Sequence, residues 1–147
     1  MLGRMRQIFA TGVCLVLLGC AVDLDTVSSQ YVSLDEAKAD SLFKRGWLPD
    51  VLPPSTHTIR TENDLDLNLS EGEFSFVPAE AELLFDRLSP GAPSASRLDD
   101  WERTVSSHAR DGYTAWSYQN DDSTWAFFCQ ASKGHCEYLM WLRQGAP

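Results

Sequence analysis

Three histidines, several grouped carboxylates and four cysteines are the residues in this chain that could do chemistry. His57, His108 and His135 are scattered, with no His-x-x-x-His pair and no glutamate at metal-ligand spacing. A zinc site needs its ligands at recognisable spacing, so all three are expected at the surface or at element ends. Asp64, Asp66 and Asn68 copy the opening of a calcium loop. Such a loop also needs glycine at its sixth position and glutamate at its twelfth, where Leu69 and Ser75 stand instead. Ser106-Ser107-His108 lacks the Gly-x-Ser-x-Gly turn that presents a nucleophilic serine. Asp99, Asp100 and Glu102, and Asp121 with Asp122, bring carboxylates close in sequence, as an acid–base pair for glycoside hydrolysis would need. With 21 acidic residues in the chain, such adjacency carries little weight. The reading is therefore a non-enzyme, with no catalytic residues, metal or cofactor.

The charge balance narrows the partners. The chain has 147 residues, 12 of them Lys or Arg and 21 Asp or Glu, a net charge of −9. Nucleic-acid binding works by counterion release onto clustered basic side chains, which excludes that class here. Apolar residues make up 44% and charged residues 22%, the composition of an ordinary folded domain rather than a disordered chain.

The first twenty residues read as an address. Arg4 and Arg6 precede an apolar run from Ile8 to Leu18, broken only by Thr11 and Gly12. A helix over that run spans about 17 Å, against about 30 Å of bilayer hydrocarbon, so it is an export signal rather than a membrane span. Leu17-Leu18-Gly19-Cys20 resembles the lipobox of bacterial lipoproteins. The resemblance implies cleavage between Gly19 and Cys20, a diacylglycerol on the Cys20 thiol and acylation of the new amino terminus. Two or three acyl chains would hold the protein on a membrane permanently, where one would not. Ala21 follows the cysteine where members retained at the inner membrane often carry Asp, which implies an outer-membrane location facing the periplasm. Removing residues 1–19 leaves 10 basic and 21 acidic residues, a net of −11 that anionic lipid surfaces repel. Residues 20–30 are expected to form a flexible tether reaching about 17 Å, and residues 31–147 a single domain. No later stretch is long and apolar enough to cross a bilayer.

Cys14 would leave with the signal and Cys20 would carry lipid, so Cys129 and Cys136 remain. Export puts them where disulfides persist. Aromatic and β-prone flanks, with Gly134 between them, predict a hairpin in which the two are cross-strand neighbours at disulfide distance. Six intervening residues do not suit the Cys-x-x-Cys spacing of a redox site.

The remaining elements follow from periodicity. A capping box, Ser33 with Glu36, predicts a helix from about 34 to 45. Residues 46–56 read as a proline-stiffened extended segment. Leu65, Leu67 and Leu69 alternate with polar residues and predict a strand, and residues 73–77 predict another. Pro78 opens a second helix near 79–88, and a third is expected near 98–108. Strands are predicted near 113–119, 124–130 and 135–142, with a turn at Asn120-Asp121-Asp122. The fold class is therefore expected to be α+β: two or three short helices packed on an antiparallel meander with a disulfide-linked C-terminal hairpin.

Residues 46–68, GWLPDVLPPSTHTIRTENDLDLN, resemble a segment of bacterial envelope proteins that carries no assigned activity. The resemblance implies that Gly46 to Asn68 is one structural unit. The C-terminal third is rich in aromatic rings, and Trp116, Tyr118, Trp125, Tyr138 and Trp141 are the candidate binding surface. Trp125, Phe127, Cys129, Cys136, Tyr138 and Met140 would share one sheet face, and Phe128, Glu137, Leu139 and Trp141 the other. Both faces cannot be wet. Helices are expected to cover one of them, an exposed aromatic patch being the alternative. The expected function is a lipid-anchored interaction module with an envelope protein partner. The alternatives are an inhibitor or immunity protein against an envelope-acting enzyme, and a glycan-binding or hydrolytic envelope protein.

Overall fold

The computed structural model describes residues 25–95 and 98–143. The signal segment, with Gly19 and Cys20, lies outside the described residues. The elements in chain order are β1 (Thr26–Ser33), α1 (Leu34–Ala39), β2 (His57–Asp64), β3 (Leu69–Ser75), α2 (Ala81–Phe85), β4 (Ser89–Pro90), α3 (Trp101–Arg110), β5 (Thr114–Gln119), β6 (Ser123–Gln130) and β7 (His135–Leu142). All seven strands join one sheet in the order β1-β2-β3-β7-β6-β5-β4, and every neighbouring pair is antiparallel.

This architecture corrects the expected α+β arrangement. The fold is mostly antiparallel sheet, and the three α-helices are only 6, 5 and 10 residues long. The difference lies in the N-terminal half, which adds a three-stranded meander through the β3–β7 pairing. Residues 26–30, expected in the tether, are paired strand: Thr26 to Gln30 face Asp64 to Arg60 of β2. Valine, threonine and tyrosine suit a pleated strand, and β1 holds no proline, glycine or charge to prevent it.

The alternating leucines misled in a different way. Residues 65–68 form the turn between β2 and β3, not a strand. Asp64 Oδ1 accepts from the Leu67 amide at 2.8 Å, and Asn68 takes a left-handed conformation at φ 52°. Leu65 and Leu67 are consequently exposed.

Helix α1 begins in a modified capping box, whose return bond reaches the amide one residue before the N-cap. The Ser33 hydroxyl accepts from the Glu36 amide at 3.2 Å, while the Glu36 carboxylate accepts from the Val32 amide at 2.7 Å. It ends six residues earlier than expected, in a Schellman motif. The Leu42 amide donates to the Ala37 carbonyl and the Ser41 amide to the Lys38 carbonyl. Ser41 holds the left-handed position usually given to glycine, at φ 61°. The reversal buries Leu42 completely.

Two cores lie on opposite faces of the sheet. On the first, Tyr31, Ile59, Phe74, Trp125, Phe127 and Tyr138 pack beneath α1, α2 and the 42–53 segment, which contributes Leu42, Leu48, Val51 and Leu52. On the second, Ala126, Phe128 and Trp141 pack beneath Trp101 of α3 and Ala95. The division of β6 and β7 side chains between the faces is the one their alternation predicts. Cys129 and Cys136 are directly paired across β6 and β7 and form a buried disulfide, with an S–S distance of 2.01 Å. Gly134 closes that hairpin at φ 60° and accepts the Phe76 amide at 2.8 Å. A Cβ there would run into the Phe76 carbonyl.

Candidate functional site

Trp125, Tyr138 and Trp141 of the candidate aromatic surface are buried, so these three rings build core and do not form a platform. Trp125 Nε1 donates to the Trp47 carbonyl at 3.1 Å, and the Tyr138 hydroxyl lies 3.0 Å from Ser70 Oγ. Burial pushes the Tyr138 hydroxyl far above its ordinary range. Trp116 and Tyr118 are half-buried against the first core, with Trp116 stacked on Phe85 at 4.4 Å.

The sheet is covered unevenly on its second face. Alternation points Thr26, Ser28 and Gln30 of β1, Arg60, Glu62 and Asp64 of β2, and Leu69, Glu71 and Glu73 of β3 toward that face. Helix α3 lies over β5 to β7 and leaves this half open. A cleft of about 660 Å³ runs between them, walled by β1, β2 and β3 on one side and by Trp101, Thr104 and His108 of α3 on the other. A smaller hollow of about 210 Å³ adjoins it and shares Glu62, Glu71, Leu98 and Leu139. Behind this wall, on the first face, Gly72 leaves room that a side chain would not, since a Cβ there would collide with the Arg60 carbonyl and the Tyr138 ring.

The strand register lays the cleft out in rows. One row reads Gln30, Arg60, Glu73, Glu137, Phe128, and the next reads Ser28, Glu62, Glu71, Leu139, Ala126. In the first row each carboxylate is matched by a partner within the fold. Arg60 pairs with Glu73 at 2.5 Å. Glu137 Oε2 lies 3.0 Å from His108 Nε2, and its Oε1 accepts from the Tyr113 hydroxyl at 2.8 Å. Burial opposes ionisation of Glu137, but the hydrogen bonds from His108 and Tyr113 outweigh it and hold the carboxyl below its usual range. Burial and the bond to Glu137 push Tyr113 up to about 12. Tyr113 is thus a hydrogen-bond donor, not a base.

His108 also has its other nitrogen against an acceptor, the Thr104 carbonyl at 2.8 Å. A ring donating from both nitrogens satisfies both contacts, and a neutral ring satisfies one. The ring stacks on Phe128 at 3.9 Å. His135 stands 3.9 Å from Glu73 and 4.0 Å from Glu137. His108 and His135, expected as separate surface groups, therefore converge on one carboxylate. The signal for this in the sequence was Glu137, the one charged residue in the strand CEYLMWL. His57 is exposed and bonds locally to the Ser55 carbonyl.

The second row lacks such matching. Glu62 and Glu71 face each other directly, and no cation among the described residues pairs with either. Asp99 adds a further carboxylate at the rim, so five carboxylates line the cleft against one arginine. The floor beside them is apolar, formed by Leu98 and Leu139 with Leu69 in the adjoining hollow. The other grouped acids are local: Asp100 precedes α3 and pairs with Arg103 at 3.1 Å, and Asp122 lies in the turn before β6. No group of three or more His, Cys, Asp or Glu side chains among the described residues is placed to hold a metal ion. What the cleft offers is a negatively charged, partly apolar surface.

Residues 25–75 match the family model of the YbbD head domain. The match covers just over a third of the chain, spanning β1, α1, β2 and β3, and includes the 46–68 segment. No curated protein and no solved structure matches the chain.

Proposed function

We propose that the chain is a lipid-anchored module of the bacterial envelope, tethered through Cys20 to the outer membrane and facing the periplasm, that binds a protein partner without catalysis. The observation that carries this reading is the half-covered second face of the sheet. The open strands carry a row of unneutralised carboxylates beside half-buried leucine side chains, and folding alone gives no reason to leave it so. The Cys129–Cys136 disulfide suits an oxidising compartment. No helix among the described residues is long and apolar enough to cross a membrane, which suits attachment through lipid. The YbbD head domain match overlaps the segment that resembles envelope proteins.

A second reading, an inhibitor or immunity protein against a basic envelope-acting enzyme, is favoured by the cleft's charge imbalance, which would speed encounter with a cationic partner. Position-specific photo-crosslinking in intact cells tests the shared element. A photoreactive residue in place of Thr104, on the cleft wall, should yield a defined adduct. The same residue in place of Glu82, on the opposite face, should not. Adducts only from Glu82, or from neither site, would contradict a cleft-bound partner.

A further inference from the structure

We infer that the cleft takes a basic, amphipathic peptide segment, whose cationic side chains pair with Glu62 and Glu71 and whose apolar side chains lie on Leu69, Leu98 and Leu139. This inference rests on the reading of the cleft as the binding surface and specifies its partner.

The two neighbouring rows make the argument. Glu73 and Glu137 are directly opposed across β3 and β7, and opposed like charges destabilise a ladder. There the fold supplies its own relief: Arg60 pairs with Glu73, and His108 and Tyr113 bond to Glu137. One row along, Glu62 and Glu71 are opposed in the same way across β2 and β3, and no cation among the described residues relieves them. Their alternation points them into open cleft rather than into core. A cation arriving from outside would supply what Arg60 supplies next door.

The floor selects among cations. A metal ion would need converging oxygen ligands, and the described residues offer no such group. A fully solvated polyamine would gain nothing from Leu69, Leu98 and Leu139, which are half-buried and packed against the second core. A segment that alternates basic and apolar side chains meets both features within adjacent rows. Trp101 and Thr104 form the facing wall, so the segment would lie between helix and sheet.

The test uses the full-length protein in nanodiscs of neutral phosphatidylcholine, with empty discs as blank. It is titrated with a labelled short peptide of alternating lysine and leucine, and separately with a glutamate–leucine counterpart and a lysine–serine counterpart. Anisotropy of the label reads binding. The lysine–leucine peptide should bind, weaken steeply with added salt, and bind at least about tenfold more weakly to the Glu62→Gln/Glu71→Gln variant. An Asp35→Asn/Glu82→Gln variant, altered on the opposite face, should bind normally. Leu98→Ser should weaken the lysine–leucine peptide and leave the lysine–serine peptide unchanged. The double glutamine variant should melt no lower than wild type, because it loses only repulsion, so a binding loss cannot be assigned to unfolding. Equal binding of the glutamate–leucine peptide, or an unaffected double variant, overturns the inference. If a neutral peptide or a peptidoglycan fragment binds and is lost on Leu98→Ser, the cleft remains a binding surface and the basic partner is wrong. If no probe responds to any cleft substitution, both readings fall.

Discussion

Glu62 and Glu71 stand directly opposite one another across the β2–β3 ladder, with no cation among the described residues to separate their charges. Opposed like charges destabilise a strand pair. Glu71→Gln should therefore raise the urea midpoint of the free protein at low salt. The gain should shrink as salt screens the pair. Glu73→Gln, which removes the partner of Arg60, should show no such gain. A destabilised Glu71→Gln protein would mean that the pair is relieved in a way the geometry does not display.

Glu137 makes the second core sensitive to acid. Its carboxyl is held below the ordinary value of 4.5, so the folded state favours the ionised form. The associated stability is present above that value and is lost as pH falls through the lower folded one. Glu137→Gln should flatten the fall in unfolding free energy below about pH 5. Tyr113 acts at the other end. Its hydroxyl is raised to about 12 from 10.0, so the folded state retains the proton longer than the unfolded chain. Stability should then decline as pH rises beyond about 10, and Tyr113→Phe should remove part of that decline. His108, His135 and Glu73 face the same cluster, so the measurement is a comparison of variant with wild type across pH.

The Cys129–Cys136 disulfide closes a short loop in a hairpin that is already well packed. Closure of that length contributes about 2–3 kcal/mol in the chain-entropy account. The Cys129→Ala/Cys136→Ala variant should be destabilised by about that amount under oxidising conditions. Added reductant should lower the melting temperature of wild type and leave that of the variant unchanged.

In the proposed function, attachment rests on one thiol, that of Cys20. Cys20→Ser should abolish fatty-acid labelling and move the protein out of the membrane fraction. A variant that stays membrane-bound would place the anchor elsewhere in the chain.

The C-terminal half of the fold was legible because its signals are local. Strands β5, β6 and β7 start and stop within a residue or so of where their aromatic and β-branched runs do. The Asn120 turn forms as side-chain chemistry dictates, with Oδ1 accepting from the Asp122 and Ser123 amides. The N-terminal half was not legible in the same way. Strand β1 buries only Tyr31 fully, so its sequence TVSSQYVS shows no apolar stripe and reads as a polar linker. Its place in the sheet is decided by pairing with β2, which periodicity cannot see. The leucines of the β2–β3 turn mimic a half-buried strand because alternation does not distinguish a strand face from a four-residue turn. The cleft itself depends on where α3 lies across the sheet. Nothing within residues 101–110 announces that His108 meets Glu137, 29 residues further on.

The central claim is that the open half of the second sheet face is the recognition surface. Backbone amide and indole chemical shifts of the full-length protein, followed while the lysine–leucine peptide is added, test it most directly. The account predicts shifts confined to Ser28, Glu62, Glu71, Leu98, the Trp101 indole and Leu139. Shifts centred on α1, α2 and the 42–53 segment, or a saturating interaction that leaves the cleft unperturbed, would contradict it.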